Sequence, residues 1–418
     1  MIESGSARVR CAAGRDALFK RSAEVAVPAA SLLGTRESAR KNVDRARGAF
    51  ARALPALGLY AAVRLAGMIV VAVCALLTER HPRTVLGHSW DAVWYAGVAQ
   101  HGYGTVIIST RHPGRVYNDL AFFPLFPALQ RAVSTVLPVG TVTAGLLVAL
   151  VCAGLAAWGV YMVGERLYGH RVGVALVLLW GLLPHAIVQT MAYSESLLTA
   201  LAAWSLYSVL TRRWLWAGSL AALAGLARPN GIAVAAAVVV GAAIALAREP
   251  RTRRSPRPWL AIAIAPMGWV GYLAWVGLRV GRPLGYFEVQ RQWGTSFDFG
   301  RYTTRFGQHL VLDGGRLSYF TTIAVLFAAL LALILLVLDR PPLPIVVYAL
   351  VLAVMAFGGT RYFSARPRLL MPAFTLLLPA ALALARARVR TGAVLAGGLA
   401  VVSLSYGIYL TMLAPTAP

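Results

Sequence analysis

Eleven nearly uninterrupted apolar stretches dominate the sequence, at 53–78, 141–164, 171–190, 193–210, 214–228, 230–247, 259–278, 319–338, 343–357, 368–385 and 392–413. A helix needs about 20 apolar residues to cross the hydrocarbon layer of a bilayer, and most of these stretches approach that length. A chain that spends its residues this way has no room for a large water-soluble domain. Only 13% of the residues are charged and 59% are hydrophobic, against about 25% charged in a typical soluble domain. A soluble enzyme is excluded, and the expected fold class is an all-α polytopic membrane protein, a bundle of about eleven transmembrane helices. Several stretches are short or interrupted, most clearly around Arg228-Pro229-Asn230-Gly231. Such breaks survive in a membrane only where the freed backbone is buried in protein or lines a cavity.

The net charge of +25 comes from 40 basic residues, nearly all arginine, against 15 acids. Placing the N-terminal segment in the cytoplasm puts Arg166 and Arg171, Arg212 and Arg213, the cluster from Arg248 to Arg257, Arg340, and Arg386, Arg388 and Arg390 all on one side. The positive-inside rule thus accounts for most of the charge. No basic domain stands free of the membrane, so nucleic acid is not an expected partner and membrane lipids are. Residues 1–50 are basic and lack a signal-peptide core, so they read as a disordered cytoplasmic tail ahead of a membrane domain at 51–418. The arginine excess in an Ala- and Gly-rich chain suggests a GC-rich bacterial genome, hence a plasma-membrane host. Cys11, Cys74 and Cys152 are too scattered for a disulfide framework or a Cys-based metal site.

Two long loops, 79–140 and 279–318, fall on the outer side. In the first, 88–101 and 120–137 have the aromatic and polar mixture of helices lying along the membrane interface. The second interleaves Tyr286, Phe287, Trp293, Phe297, Phe299 and Tyr302 with arginines, as another interfacial platform would. With so few acids, each external one carries weight. Asp91, beside Trp90 and close to Trp94 and Tyr95, could act as a general base toward a hydroxyl presented at the membrane surface, or simply cap the following helix. Asp119, ahead of an aromatic and Pro-rich stretch, reads equally as a cap or as an acidic partner in the site. Glu195, after Tyr193 and Ser194 at the mouth of a span, requires a partner or a water-filled cavity.

Arg228 suits either a turn before Pro229 or a partner for an acid or phosphate. Arg361, Arg366 and Arg368 lie externally, against the positive-inside bias. Binding of an anion explains them, since guanidinium forks hold phosphate in bidentate fashion, and so would headgroup anchoring. Arg64, mid-span, must face the bundle interior. No nucleotide-phosphate loop, dinucleotide fingerprint or HExxH pattern is present, and the spacing of His81, His88, His101 and His112 matches no usual metal site. No metal ligands and no cofactor are called for, although a divalent cation stays open as an auxiliary.

Four motifs in order carry a resemblance: Trp90-Asp91 with Tyr95 and Gly102-Tyr103; Ala121-Phe122-Phe123-Pro124-Leu125-Phe126-Pro127; Tyr193-Ser194-Glu195-Ser196; and Ala227-Arg228-Pro229-Asn230-Gly231. From about residue 51 onward the chain resembles the PIG-V-type mannosyltransferases, the family of the second mannosyltransferase of GPI-anchor synthesis and its bacterial relatives. The resemblance implies a GT-C-like bundle with interfacial helices in the first external loop. It implies an inverting transfer of a sugar, mannose first, from a polyprenyl-phosphate donor to a lipid or glycan acceptor on the non-cytoplasmic face. It makes Asp91 the base, with Asp119 and Glu195 as acidic partners. Arg228, Arg361, Arg366 and Arg368 would then serve the donor phosphate, and Trp90, Trp94, Tyr95, Tyr193 and Asn230 the sugar or acceptor rim. The alternatives are a flippase of lipid-linked sugars, which should show an internal repeat and mid-bilayer charges, and a GT-C transferase with another sugar or a protein acceptor. The orientation is tested by Ser109→Cys and Arg253→Cys. An impermeant thiol reagent applied to intact cells should label the first and spare the second, and the reverse pattern would invert the topology.

Overall fold

The computed structural model describes residues 47–108 and 115–414. The expected tail therefore lies, except for its last four residues, outside the described residues, as does His112. Contacts divide the chain after Leu54. In the first unit the described residues are helical, and the second unit, from Pro55 onward, holds everything considered below.

The helical order begins with α1 (Arg47–Leu77), then α2 (Pro82–Gly87) and α3 (Asp91–His101). A two-stranded antiparallel hairpin follows, β1 (Val106–Ile108) paired with β2 (Val116–Asn118), with Ile107 opposite Tyr117. Next come α4 (Leu125–Val136), α5 (Thr141–Tyr168), α6 (His170–Gly181), α7 (Glu195–Leu210), α8 (Trp214–Ala227), α9 (Ile232–Arg248) and α10 (Pro250–Arg253). They are followed by α11 (Pro256–Ile264), α12 (Met267–Val280), α13 (Gly285–Gln292), α14 (Arg301–Asp313), α15 (Leu317–Leu338) and α16 (Leu343–Gly358). The last are α17 (Arg366–Leu370), α18 (Leu378–Arg386) and α19 (Val389–Ile408).

Each apolar stretch of the sequence corresponds to one helix or helix pair, but not to eleven full-length spans. Among the described residues six helices are long and apolar enough to cross a membrane, or seven if the pair Phe363–Leu370 and Phe374–Arg386, bent by 77°, counts as one span. The helices α6, α7, α8 and α16 are shorter. At 1.5 Å per residue, the 12 residues of α6 rise only about 18 Å. The run at 171–190, expected as one helix, stops at Gly181 ahead of Pro184, whose missing N–H cannot continue the ladder, and resumes as a 3-10 turn over Ala186–Thr190. The interfacial helices expected in the first outer loop are α3 and α4, while the β-hairpin between them was not anticipated.

Lipid tails are as apolar as leucine, so helices in a bilayer associate through close packing of small residues. The helices α5 and α6 meet at Gly164 and Gly173, and α8 meets α12 where Gly225 lies against the Trp269 backbone and Gly268 against the carbonyl of Ala222. Arg64, as expected, is buried and donates to the Gly181 carbonyl, close to a Tyr60–Gln189 hydrogen bond of 2.9 Å. These contacts bring three helix breaks to one end of the bundle: 182–194, 228–231 and 359–377. The α8–α12 contact is testable. Gly268→Ala should cost about 1–3 kcal/mol through overpacking, read as a lower thermal midpoint in detergent, while Gly271→Ala, which meets nothing within 4 Å, should leave the midpoint in place.

Candidate active site

The helix α3 begins at Asp91, and the residue before it, Trp90, has φ 55° and ψ −118°. A side-chain-bearing residue rarely adopts such a backbone, which costs on the order of 1–3 kcal/mol and clusters at functional sites. The strained corner presents Asp91 to the broken ends of the bundle. There Arg368 Nη2 lies 2.7 Å from Asp91 Oδ2, and Arg368 Nε lies 3.0 Å from Glu195 Oε1. Arg228 Nη1 reaches the same Glu195 oxygen at 2.7 Å. The result is a chain of alternating charge, Asp91–Arg368–Glu195–Arg228.

Each member is placed by local backbone logic. Glu195 is the first residue of α7, where the helix dipole favours a carboxylate. Arg228 caps the C-terminus of α8, where the dipole favours a cation and Pro229 forbids continuation. Arg368 sits in the one-turn helix α17 within the bent pair, just after Pro367. Polar neighbours complete the cluster. Tyr95 Oη and Ser194 Oγ are 2.7 Å apart, Arg228 Nη1 donates to Ser194 Oγ at 3.2 Å, and the Arg368 guanidinium lies 5.2 Å from the centre of the Tyr193 ring. Burial pushes the Tyr95 phenol up to about 12, so it remains a neutral hydroxyl. Glu195 is 1% exposed, whereas the Asp91 side chain, at 20%, still opens onto a cavity.

That cavity encloses 1490 Å³. It has an aromatic wall that includes Trp94 and Trp293, whose ring centres are 5.2 Å apart, and a basic side formed by Arg115, Arg228, Arg291, Arg361, Arg366 and Arg368. Three of these arginines are committed to carboxylates: Arg228, Arg368, and Arg291, which faces Glu288 at 3.9 Å. Arg366 donates to Thr303 Oγ1 and to the carbonyls of Phe357 and Gly359, and lies against the rings of Tyr302 and Phe363. Among the described residues no carboxylate lies within ion-pair distance of Arg115 or Arg361. Arg361 and Tyr362 both have left-handed φ, 59° and 44°, which turns the chain sharply at the cavity edge.

The structure therefore brings together Asp91, Glu195, Arg228, Arg368 and Tyr193, and lines the cavity with Trp90, Trp94, Tyr95, Asn230, Arg361 and Arg366. Of the four arginines expected at a phosphate, Arg361 alone has no ion-pair or hydrogen-bond partner among the described residues. Asp119 is apart from this cluster: its Oδ2 accepts the amides of Gly104 and Thr105 at 2.8 and 2.7 Å, tying the hairpin base to the turn after β2. Arg115, Tyr117 and Trp293 escaped the sequence reading as site residues. Trp293 stood out only as part of an interfacial platform, and the sequence around Arg115 gives no sign of where the arginine ends up. Among the described residues no three His, Cys, Asp or Glu side chains gather at metal-binding distance, and Asp91 and Glu195 each face a guanidinium.

Residues 112–275, about two fifths of the chain, match a family profile described as dolichyl-phosphate-mannose-protein mannosyltransferase. No curated protein matches the sequence. Among solved structures, ArnT from Cupriavidus metallidurans, in a crystal structure with undecaprenyl phosphate bound, superposes with a TM-score of 0.50 at 16% identity, over 82% of this chain and 62% of ArnT. The oligosaccharyltransferase of Archaeoglobus fulgidus gives a TM-score of 0.43 at 12% identity, over 84% of this chain and 54% of that one. The fold is that of the GT-C membrane glycosyltransferases. This chain spans only about three fifths of ArnT.

The clamp reading of Asp119 has a direct check. Asp119→Asn keeps the shape but weakens two charge-assisted hydrogen bonds. It should lower stability by about 1–2 kcal/mol in thermal unfolding while binding of a polyprenyl phosphate to the detergent-solubilised protein stays unchanged. Lost binding at unchanged stability would instead place Asp119 in the site.

Proposed function

We propose that this protein is an integral-membrane inverting glycosyltransferase that moves a sugar from a polyprenyl-phosphate donor to a hydroxyl of a lipid or glycan acceptor. Mannose is the first candidate sugar, favoured by the PIG-V-like motifs and by the matched family profile. The observation that carries the reading is Asp91, held by Arg368 yet open to a large aromatic cavity also lined by Arg115 and Arg361, which have no carboxylate partner among the described residues. Glycosyl transfer from a lipid phosphate needs a base for the acceptor hydroxyl, positive charge for the departing phosphate, and exclusion of water. Asp91 takes the acceptor proton as the new C1–O bond forms. The old bond to phosphate breaks with its electron pair going to the phosphate, whose added charge Arg361 and Arg115 receive. The stacked and T-shaped rings of Trp94, Phe122 and Trp293 give the sugar a dry wall.

Chain alternation from a cytoplasmic N-terminal segment supports the non-cytoplasmic face. The Asp91, Glu195, Arg228 and Arg368 corners all fall at the helix ends opposite the loops that carry Arg212, Arg248 and Arg340. A flippase reading receives less support, because the buried ion pairs gather at one end of the bundle and Arg64 alone, among the described residues, is a buried charge in the middle of a long span. The test is transfer of labelled mannose from polyprenyl-phosphate mannose by the protein in nanodiscs. Asp91→Asn should reduce turnover by roughly 10²-fold or more with donor binding retained, and Arg361→Ala should weaken donor binding. Full turnover in Asp91→Asn would remove the base. Absence of transfer from any polyprenyl-phosphate sugar would overturn the reading.

A further inference from the structure

Glu195 cannot touch a substrate: it is 1% exposed, lies outside the cavity wall, and has both ion-pair contacts directed at arginines. It is nonetheless the one carboxylate, among the described residues, that pairs with both Arg228 and Arg368, and Arg368 in turn holds Asp91. We propose that Glu195 is a positioning residue, which, by holding Arg228 and Arg368 apart on a common anion, aims Arg368 at Asp91 and keeps that carboxylate fixed toward the cavity. The inference rests on the transferase reading above.

The physical argument is one of counting charges in a site with little water. Arg368 donates a hydrogen bond through Nη2 to Asp91 and faces Glu195 with Nε at ion-pair distance, so one planar guanidinium lies between the two carboxylates. Without Glu195, two buried cations would face each other with only Asp91 to share. Arg228 would compete for Asp91 or push Arg368 away, and either movement turns the base. Groups that face Asp91 come from several packed elements: Arg368 from α17, Tyr193 from the segment just before α7, Tyr95 from its own helix, and Tyr362 from the turn after α16. Glu195 and Arg228 join them through Arg368.

The experiment compares steady-state kinetics of the full-length protein in nanodiscs. Glu195→Gln should lose at least about tenfold in kcat while the donor KM stays within about threefold, because a misaligned base slows chemistry without loosening a phosphate held elsewhere. The double variant Glu195→Gln/Arg228→Gln removes the surplus cation together with the anion. Its kcat should lie above that of Glu195→Gln and below wild type, a non-additivity expected of coupled neighbours. If the single variant does not fold, the charge-balanced double carries the test, and wild-type kcat in it overturns the proposal. So does a folded Glu195→Gln that keeps its kcat, or one that loses donor affinity instead.

A second readout does not depend on turnover. Modification of Asp91 by a water-soluble carbodiimide, followed by mass spectrometry, should rise severalfold in Glu195→Gln, or in the double variant if the single one does not fold, as Arg368 leaves the carboxylate. If wild-type protein transfers no sugar but this rise is seen, the transferase reading fails and the positioning role stands. Unchanged modification refutes the positioning role whatever the activity.

Discussion

Four charges buried at one end of an apolar bundle, Asp91, Arg368, Glu195 and Arg228, form the interaction on which the remainder of the site depends. Taking an ion out of water costs several kcal/mol even after relaxation, and the cost is recovered only when opposite charges meet in good geometry. Here each cation touches Glu195, and Arg368 continues to Asp91, so the cluster is neutral and alternates in sign. Removing any member leaves an uncompensated charge in a membrane protein, which explains why four separate segments of chain must arrive together.

They arrive because the helices that carry them are broken or short. A full-length span would carry its ends out of the layer. The helices α7, α8, α16 and the bent pair around Pro372 instead stop within the protein and leave polar backbone and charged side chains facing inward. Small residues let those fragments approach closely, as at Gly225 and Gly268, and the interfacial helices α3 and α4 then close over the broken ends. Aromatic side chains of the two long loops, 79–140 and 279–318, line the cavity that results. Trp94 from the first loop meets Trp293 from the second, so the cavity wall exists only when both loops are folded onto the bundle.

Much of this was legible in the sequence, though unevenly. The apolar runs mark every membrane helix because a period of about 20 apolar residues has few other uses. The basic loops sort the helix ends into two expected sides, and the scarcity of acids draws attention to Asp91, Asp119 and Glu195. Pro184 shows why one run could not be a single helix, since its lack of an N–H acts locally. Asp119 was ambiguous for a different reason: capping, clamping and catalysis ask for the same residue type, and only its two amide partners separate them.

The sequence by itself determined the membrane architecture, the sidedness expected of it, and the residue types available for chemistry, since hydrophobic length and charge bias act along the chain. The tertiary structure decided which arginine serves which anion. Arg228, Arg361, Arg366 and Arg368 look alike in one dimension, and all are flanked by aromatic, proline or small residues. In three dimensions two are bound to Glu195, one is spent on Thr303 and backbone carbonyls, and one, Arg361, lines the cavity with no carboxylate partner among the described residues. The reason is that ion pairing depends on a few ångströms between segments far apart in the chain, over 277 residues in the case of Asp91 and Arg368, and no local pattern encodes such a distance.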